Sequence, residues 1–126
     1  MSELVLVSHG QFCTELKKSA EMIMGPQDNI HTVELLPSDG PDDFRGKFEQ
    51  ITAGLSDFTV FADLMGGTPC NVVARILMEG KGSFDLYAGM NLPMIISFIN
   101  GEMVGMAPNI LDDAKAGIVH VNDMLS

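Results

Sequence analysis

The sequence predicts an α/β fold: one domain, residues 1–126, built on a doubly wound, mostly parallel sheet with the flavodoxin-like strand order. Short apolar runs alternate with helical segments along the chain, which is the pattern of a parallel sheet covered by helices on both faces. The first run, residues 3–8 (ELVLVS), is almost continuously apolar, as in a strand buried on both sides. A chain of 126 residues that is 46% hydrophobic supports one core of this kind.

Five strands and five helices can be placed along the chain from this pattern. Strands are expected at residues 3–8, 30–35, 58–62, 84–88 and 117–122, the last as an antiparallel edge strand. Helices are expected at residues 12–24, 42–53, 69–78, 92–99 and 110–116. The helical side chains expected in the core include Phe44, Phe48, Ile51, Met22, Met24 and Met78. Ligands of such sheets bind beyond the carboxyl ends of the strands, near the point where strand order reverses, so the chemistry is expected there.

The charge and the cysteine content exclude several classes of function. Seventeen acidic residues against seven basic ones give a net charge of −10, which disfavours nucleic acid and anionic membrane surfaces and suits a partner with a basic face. No segment reaches the roughly 18 apolar residues of a membrane span, and no positive region precedes the first apolar run as in a signal peptide. Cys13 and Cys70 lack metal-site spacing and are expected to be reduced thiols, buried or reactive. The cytoplasm is therefore the expected location.

His9 is the candidate nucleophile. The first strand ends in Ser8-His9-Gly10, so His9 is expected at the functional edge of the sheet, where Gly10 lets the backbone approach a ligand closely. Amides at the start of the next helix can hold an anion. The alternative is a histidine that only ends a strand. His31 and His120 lie within predicted strands and are expected to be structural or exposed.

Asp63 directly follows the third strand, which neighbours the first in a flavodoxin-like order. We therefore expect Asp63 and His9 to share one edge. A carboxylate that accepts the Nδ1 proton of histidine leaves Nε2 with its lone pair free, and it stabilises the positive ring formed when Nε2 is phosphorylated. The alternative, that Asp63 only begins a loop, is the weaker interpretation once His9 is considered.

The loop Gly66-Gly67-Thr68-Pro69 is the second part of the predicted site. Two glycines can turn successive amides toward a phosphoryl group, and Thr68 can cap the next helix or reach a phosphoryl oxygen with its hydroxyl. Met65, beside this loop, is expected on a docking surface. No G-x-G-x-x-G or Walker sequence is present, so a nucleotide site is not expected.

Four segments resemble the IIA component of the mannose-family sugar phosphotransferase system. They are the strand end VSHG, the helix ELKKSAEMIMG, the segment FADLMGGTPCNVVARI and the segment YAGMNLPMII. The resemblance covers residues 3–123, and its most specific part is the pattern D-x-x-G-G-[ST]-P-x-N from Asp63 to Asn71.

The resemblance implies a phosphocarrier. His9 would be phosphorylated at Nε2 and Asp63 would orient it, while Thr68 stands where the family often has serine, which keeps the hydroxyl. From the residues themselves, Gly10, Gly66, Gly67 and Thr68 are expected to contact the phosphoryl group. The donor would be HPr, itself charged from phosphoenolpyruvate by Enzyme I, and the acceptor would be the IIB component. No cofactor is implied, and the membrane is involved only through the IIC and IID components. The family forms homodimers that exchange the C-terminal strand, and the chain is expected to be a IIA component without a fused IIB.

Three other functions remain as alternatives. The phosphocarrier subunit of a phosphoenolpyruvate-dependent dihydroxyacetone kinase has the same fold and a histidine after the first strand, but the loop from Gly66 to Asn71 fits the mannose-type IIA better. A receiver domain would need an acidic cluster in place of Ser8-His9-Gly10. A hydrolase with an Asp–His pair would need a nucleophile motif such as G-x-S-x-G, which is absent.

Overall fold

The computed structural model describes residues 2–125, which form a four-stranded parallel sheet and five α-helices. The strands are β1 (Glu3–His9), β2 (Ile30–Leu35), β3 (Phe58–Ala62) and β4 (Asp85–Ala88). The helices are α1 (Phe12–Met24), α2 (Pro41–Thr52), α3 (Thr68–Met78), α4 (Leu92–Val104) and α5 (Ile110–Ala116). The predicted alternation of strand and helix is confirmed.

The strand order β2-β1-β3-β4 makes β1 and β3 neighbours in the middle of the sheet. All three strand pairs are parallel. Val7 lies opposite Ala62, so β1 and β3 reach the same edge of the sheet together. The chain leaves β1 toward β2 and leaves β3 toward β4, so this edge is the point where strand order reverses.

The alternating side chains of the central strands build two cores. Leu4 and Leu6 of β1 face α1, α4 and α5, whereas Val5 and Val7 face α2 and α3. All four are fully buried. Burial on both faces explains why β1 is apolar at successive positions rather than at alternate ones. Each side chain of this size contributes roughly 1.5–3 kcal/mol to stability when it is buried.

The helix α4 is longer than the sequence predicts. Its expected end at residue 99 is wrong, because the helix continues through Gly101 to Val104. Gly101 is buried, and a Cβ atom there would lie 2.8 Å from the carbonyl oxygen of Met106. Close packing of the following loop thus offsets the cost of a glycine within the helix. None of the helices within residues 2–125 has the length and hydrophobicity of a membrane span.

Three helical side chains that were expected in the core are exposed. Met22 is 88% exposed and Met78 is 77% exposed. Met22 lies two residues after the buried Ala20, and Met78 lies two residues after the buried Ile76. Side chains two residues apart point to opposite sides of a helix, so both methionines face solvent. Ile51 is also exposed, whereas Met24 packs against the core as predicted, and so do Phe44 and Phe48.

The predicted antiparallel strand at residues 117–122 is absent from the single chain. Residues 118–120 have no regular structure, and Val121–Met124 forms a 3-10 turn. The segment remains apolar and exposed, with Ile118 78% and Val121 60% accessible. A strand forms only when its backbone pairs with another strand, and no other strand in the described part of the chain pairs with this segment.

Candidate functional site

The folded chain brings His9 and Asp63 together at the carboxyl edge of the sheet. His9 is the last residue of β1, and Asp63 follows β3 by one residue. The backbone N–H of Asp63 donates to the carbonyl of Val7, which extends the pairing of β1 with β3 to the site. The His9 side chain is 48% exposed, whereas that of Asp63 is only 11% exposed. The histidine is thus open to a partner while its carboxylate is held within the protein.

Asp63 fixes both the ring and the backbone of His9 with one oxygen. Its Oδ2 atom lies 2.7 Å from Nδ1 of His9 and accepts the backbone N–H of His9 at 2.9 Å. Its Oδ1 atom accepts the backbone N–H of Leu64 at 3.0 Å. Because an ionised carboxylate only accepts hydrogen bonds, the contact selects the tautomer with its proton on Nδ1. The lone pair of the neutral ring is then on Nε2.

The turn from β1 into α1 is locked by a buried hydroxyl that sequence reasoning did not single out. Ser8 is fully buried, and its Oγ accepts the N–H of Cys13 at 2.8 Å and donates to the carbonyl of Gly10 at 3.2 Å. The amide of Gly10 donates to the carbonyl of Leu35 at 2.7 Å, so it is already engaged. The sequence does carry a signal for this role, since Ser8 places a hydroxyl at the end of an otherwise apolar strand. A hydroxyl buried there needs hydrogen-bond partners.

The loop between β3 and α3 presents a helix start beside His9. The expectation that Thr68 caps α3 is wrong, since Thr68 is the first helical residue and Gly67 occupies the cap position. Gly67 has no side chain with which to cap the helix, so the first-turn amides keep their capacity to bind an anion. Asn71, the last residue of the D-x-x-G-G-[ST]-P-x-N pattern, donates from Nδ2 to the carbonyl of Gly66 at 3.3 Å and so steadies the loop.

The imidazole of His9 lies against Gly67. A Cβ atom placed on Gly67 would fall 2.6 Å from Cε1 and 3.2 Å from Nε2 of the ring. The reactive edge of the histidine therefore faces the start of α3.

Three exposed apolar side chains belong to the two segments that carry the site. Phe12 begins α1 and is 48% exposed, while Leu64 and Met65 of the loop after β3 are 50% and 85% exposed. Exposed apolar side chains that adjoin a reactive group are typical of a surface that receives a protein.

The two cysteines are free and poorly suited to react. Burial raises the pKa of the Cys13 thiol, which donates to the carbonyl of Val33. Burial also raises the pKa of the Cys70 thiol, an effect that a backbone hydrogen bond with Gly66 opposes. A raised pKa lowers the fraction of reactive thiolate at pH 7.

We therefore expect iodoacetamide to modify neither Cys13 nor Cys70 appreciably in the folded protein at pH 7. The same reagent should modify both thiols once the chain is unfolded in guanidinium chloride, because burial no longer disfavours the thiolate. Mass spectrometry of the two samples measures the difference. Rapid modification of Cys70 in the folded protein would show that this thiol is activated rather than suppressed.

Residues 3–115 match the protein family described as "PTS system fructose IIA component", where PTS denotes the phosphotransferase system. The PTS system fructose-specific EIIA component of Bacillus subtilis is 27% identical over 119 residues, which are 92% of this chain and 81% of that protein. The PTS system mannose-specific EIIAB component of Escherichia coli K12 is 29% identical over 96 residues, which are 74% of this chain. The match spans only 29% of the length of the Escherichia coli protein.

The fold agrees with these sequence matches. The mannose/sorbose specific IIA subunit from Enterococcus faecalis superimposes with a TM-score of 0.79 at 29% identity, over 94% of this chain and 92% of that one. The family match covers most of the sequence, and the chain superimposes on this solved structure over most of its length. The chain belongs to the family of fructose and mannose IIA components of the sugar phosphotransferase system.

Proposed function

We propose that this chain is a single-domain phosphocarrier, residues 1–126, which receives a phosphoryl group from phospho-HPr on Nε2 of His9 and passes it to a IIB component. The observation that carries the proposal is the 2.7 Å contact between Nδ1 of His9 and Oδ2 of Asp63, which leaves Nε2 as the nucleophile. The exchange would take place in the cytoplasm, with the membrane involved only through the IIC and IID components that admit the sugar.

In the proposed transfer, the Nε2 lone pair of His9 forms a bond to phosphorus. The bond between phosphorus and the donor atom breaks, and its electron pair stays on the donor. The proton on Nδ1 remains in place, so the imidazole becomes positively charged, and the Asp63 carboxylate stabilises that charge. Transfer to IIB repeats the step with His9 as the leaving group. The same phosphoryl group passes from the donor to His9 and then to IIB, so the cycle consumes no nucleotide.

The phosphoryl oxygens are assigned to the start of α3. Backbone amides at Gly66, Gly67 and Thr68 and the Thr68 hydroxyl would contact them, supported by the positive end of the helix dipole. Gly10 directly follows His9 in the turn that leads from β1 into α1. Its own amide donates to the carbonyl of Leu35, so Gly10 contributes to the site through this turn and not through an amide contact. A site with few contacts suits a carrier, because a tightly bound phosphoryl group would not be passed on.

We assign the docking of both partners to three exposed apolar side chains of the two segments that carry the site, Phe12, Leu64 and Met65. These three side chains supply apolar area that a partner covers. The net charge of −10 favours a partner with a basic face and raises the rate of encounter with it. The same electrostatics disfavour nucleic acid as a partner.

The identity of the acceptor tests this function. The chain is phosphorylated with phosphoenolpyruvate, Enzyme I and HPr, and then mixed with either a IIB component or the dihydroxyacetone-binding subunit of a kinase. We expect label to move to the IIB component. Transfer to the kinase subunit alone would assign the chain to the dihydroxyacetone kinase system instead.

We further propose that the chain is a homodimer held by residues 117–122, exchanged as an antiparallel strand onto the sheet of the second copy. Two features support this assembly. Ile118, Val119 and Val121 are apolar and at least half exposed in the single chain. The strand β4 has a neighbour on one side only, which leaves an edge that a strand from another copy can pair with.

Truncation after Ala116 is expected to convert the dimer into a monomer. The change removes the apolar segment but leaves α5 and its contacts with α4 in place. Sedimentation of both versions at micromolar concentration measures their masses. A monomeric full-length chain, or a truncated chain that stays dimeric, would contradict the proposed assembly.

A further inference from the structure

Gly67, which has no side chain, lies directly beside the reactive ring of His9. A Cβ atom on Gly67 would lie 2.6 Å from Cε1 of His9, whereas unbonded carbon atoms pack at about 3.5–4.0 Å. The same atom would lie 3.2 Å from Nε2 of His9 and 3.2 Å from a methyl carbon of Leu64. The ring thus occupies the space that any larger residue at position 67 would need.

The ring of His9 cannot move away from such an atom without weakening its contact with Asp63. Its Nδ1 atom is held 2.7 Å from Oδ2 of Asp63, and the same oxygen accepts the His9 backbone N–H. Asp63 is itself fixed by the N–H of Leu64 and by its position after β3. Movement of the ring away from Gly67 therefore has to stretch or break its contact with Asp63.

The backbone at position 67 does not itself require glycine. Gly67 has φ −92° and ψ 166°, an extended conformation that alanine adopts freely. The preceding residue differs, because Gly66 has φ +91°, where an L side chain is strained. Glycine at position 67 therefore supplies space beside His9 and is not needed for the backbone conformation.

We propose that Gly67 is a positioning residue: the absence of its side chain lets the His9 ring stand between Asp63 and the start of α3, with Nε2 set for transfer. This inference rests on the proposed function of His9 as the phosphorylated residue. It assigns to Gly67 a steric role in addition to any contact between its amide and the phosphoryl group. Asp63 and Gly67 then hold the ring from two sides.

The variant Gly67→Ala tests the proposal when it is compared with Gly40→Ala. Gly40 occupies the cap position of α2 with φ −90° and ψ 177°, close to the conformation of Gly67, and a Cβ atom there meets only Oδ2 of Asp43 at 3.7 Å, so this control reports the exchange of glycine for alanine without a steric clash. We expect Gly67→Ala to shift or remove the NMR signal of the His9 Nδ1 proton shared with Asp63, and to slow phosphoryl uptake by about 10- to 100-fold. In an Asp63→Asn background the same change should slow uptake much less, because the contact is already weakened. Unaltered His9 signals in Gly67→Ala would overturn the proposal.

A second test measures stability alone and does not depend on phosphotransfer. Gly67→Ala should lower the melting temperature by about 3–6 °C in the wild-type background and far less in a His9→Ala background, where the ring is missing. The double variant also covers the case in which Gly67→Ala alone folds poorly. An equal loss in both backgrounds would show that the added methyl group strains a neighbour other than the His9 ring, such as Leu64, and would overturn the proposal. The stability effect of Gly67→Ala could depend on His9 while the wild-type chain takes up no phosphoryl group. That result would contradict the proposed function and leave the steric inference standing.

Discussion

Replacing His9 with alanine is expected to abolish phosphoryl uptake from phospho-HPr while the fold is retained. The change removes the proposed nucleophile, and nothing at the site replaces it. His31 contacts Glu3 near the start of β1, at the opposite end of the strand from His9, and His120 pairs with Asp123 in the exposed C-terminal segment. The His9 side chain is half exposed, so its loss leaves little buried surface uncovered.

Uptake of label from phosphoenolpyruvate through Enzyme I and HPr measures this effect. The variants His31→Ala and His120→Ala serve as controls, and both should take up label as the wild type does. Circular dichroism confirms that each variant is folded. Label that persists on the His9→Ala chain would remove His9 from the mechanism.

Asp63→Asn is expected to preserve the fold and to slow phosphotransfer by about 10- to 100-fold. Hydrogen bonds to charged groups contribute roughly 1.5–3 kcal/mol, and the neutral amide loses much of this stabilisation as the His9 ring becomes positive. The amide also cannot accept at both positions. Oδ1 and Oδ2 of Asp63 now accept from Leu64 and from His9, and an asparagine NH2 group must displace one of these contacts.

Rapid-mixing measurements of uptake compare this variant with Asp57→Asn. Asp57 precedes β3, at the opposite end of the sheet, so the control removes the same charge far from His9. Its transfer rate should equal that of the wild type within experimental error. Wild-type rates for Asp63→Asn would mean that the carboxylate does not act in the transfer.

The sequence was sufficient to predict the central sheet and the meeting of His9 with Asp63. Apolar runs at β1 and β3 identify strands buried on both faces, and the parallel order fixes which edge their ends share. Local sequence signals were less reliable for features that tertiary packing determines, such as the end of a helix. The sequence places a helix end at Asn100-Gly101, yet burial of Gly101 against the following loop carries α4 to Val104.

The C-terminal segment and the helix start at Thr68 show two further limits of sequence reasoning. An apolar run at residues 117–122 has the composition of a strand, but a strand needs a partner edge, which depends on assembly rather than on composition. Thr68 has the residue type of a helix cap, but the helix begins one residue earlier than expected, so Gly67 takes that position. The contact between Gly67 and the His9 ring depends on distances that residue spacing does not provide.

Direct location of the phosphoryl group tests the proposed role of His9. The chain is phosphorylated with phosphoenolpyruvate, Enzyme I and HPr, and the product is examined by phosphorus and nitrogen NMR and by mapping of the labelled peptide. We expect one acid-labile, base-stable phosphoryl group per chain, on Nε2 of His9, with the Nδ1 proton still donated to Asp63. A phosphoryl group on Nδ1 of His9, or on any other residue, would contradict it.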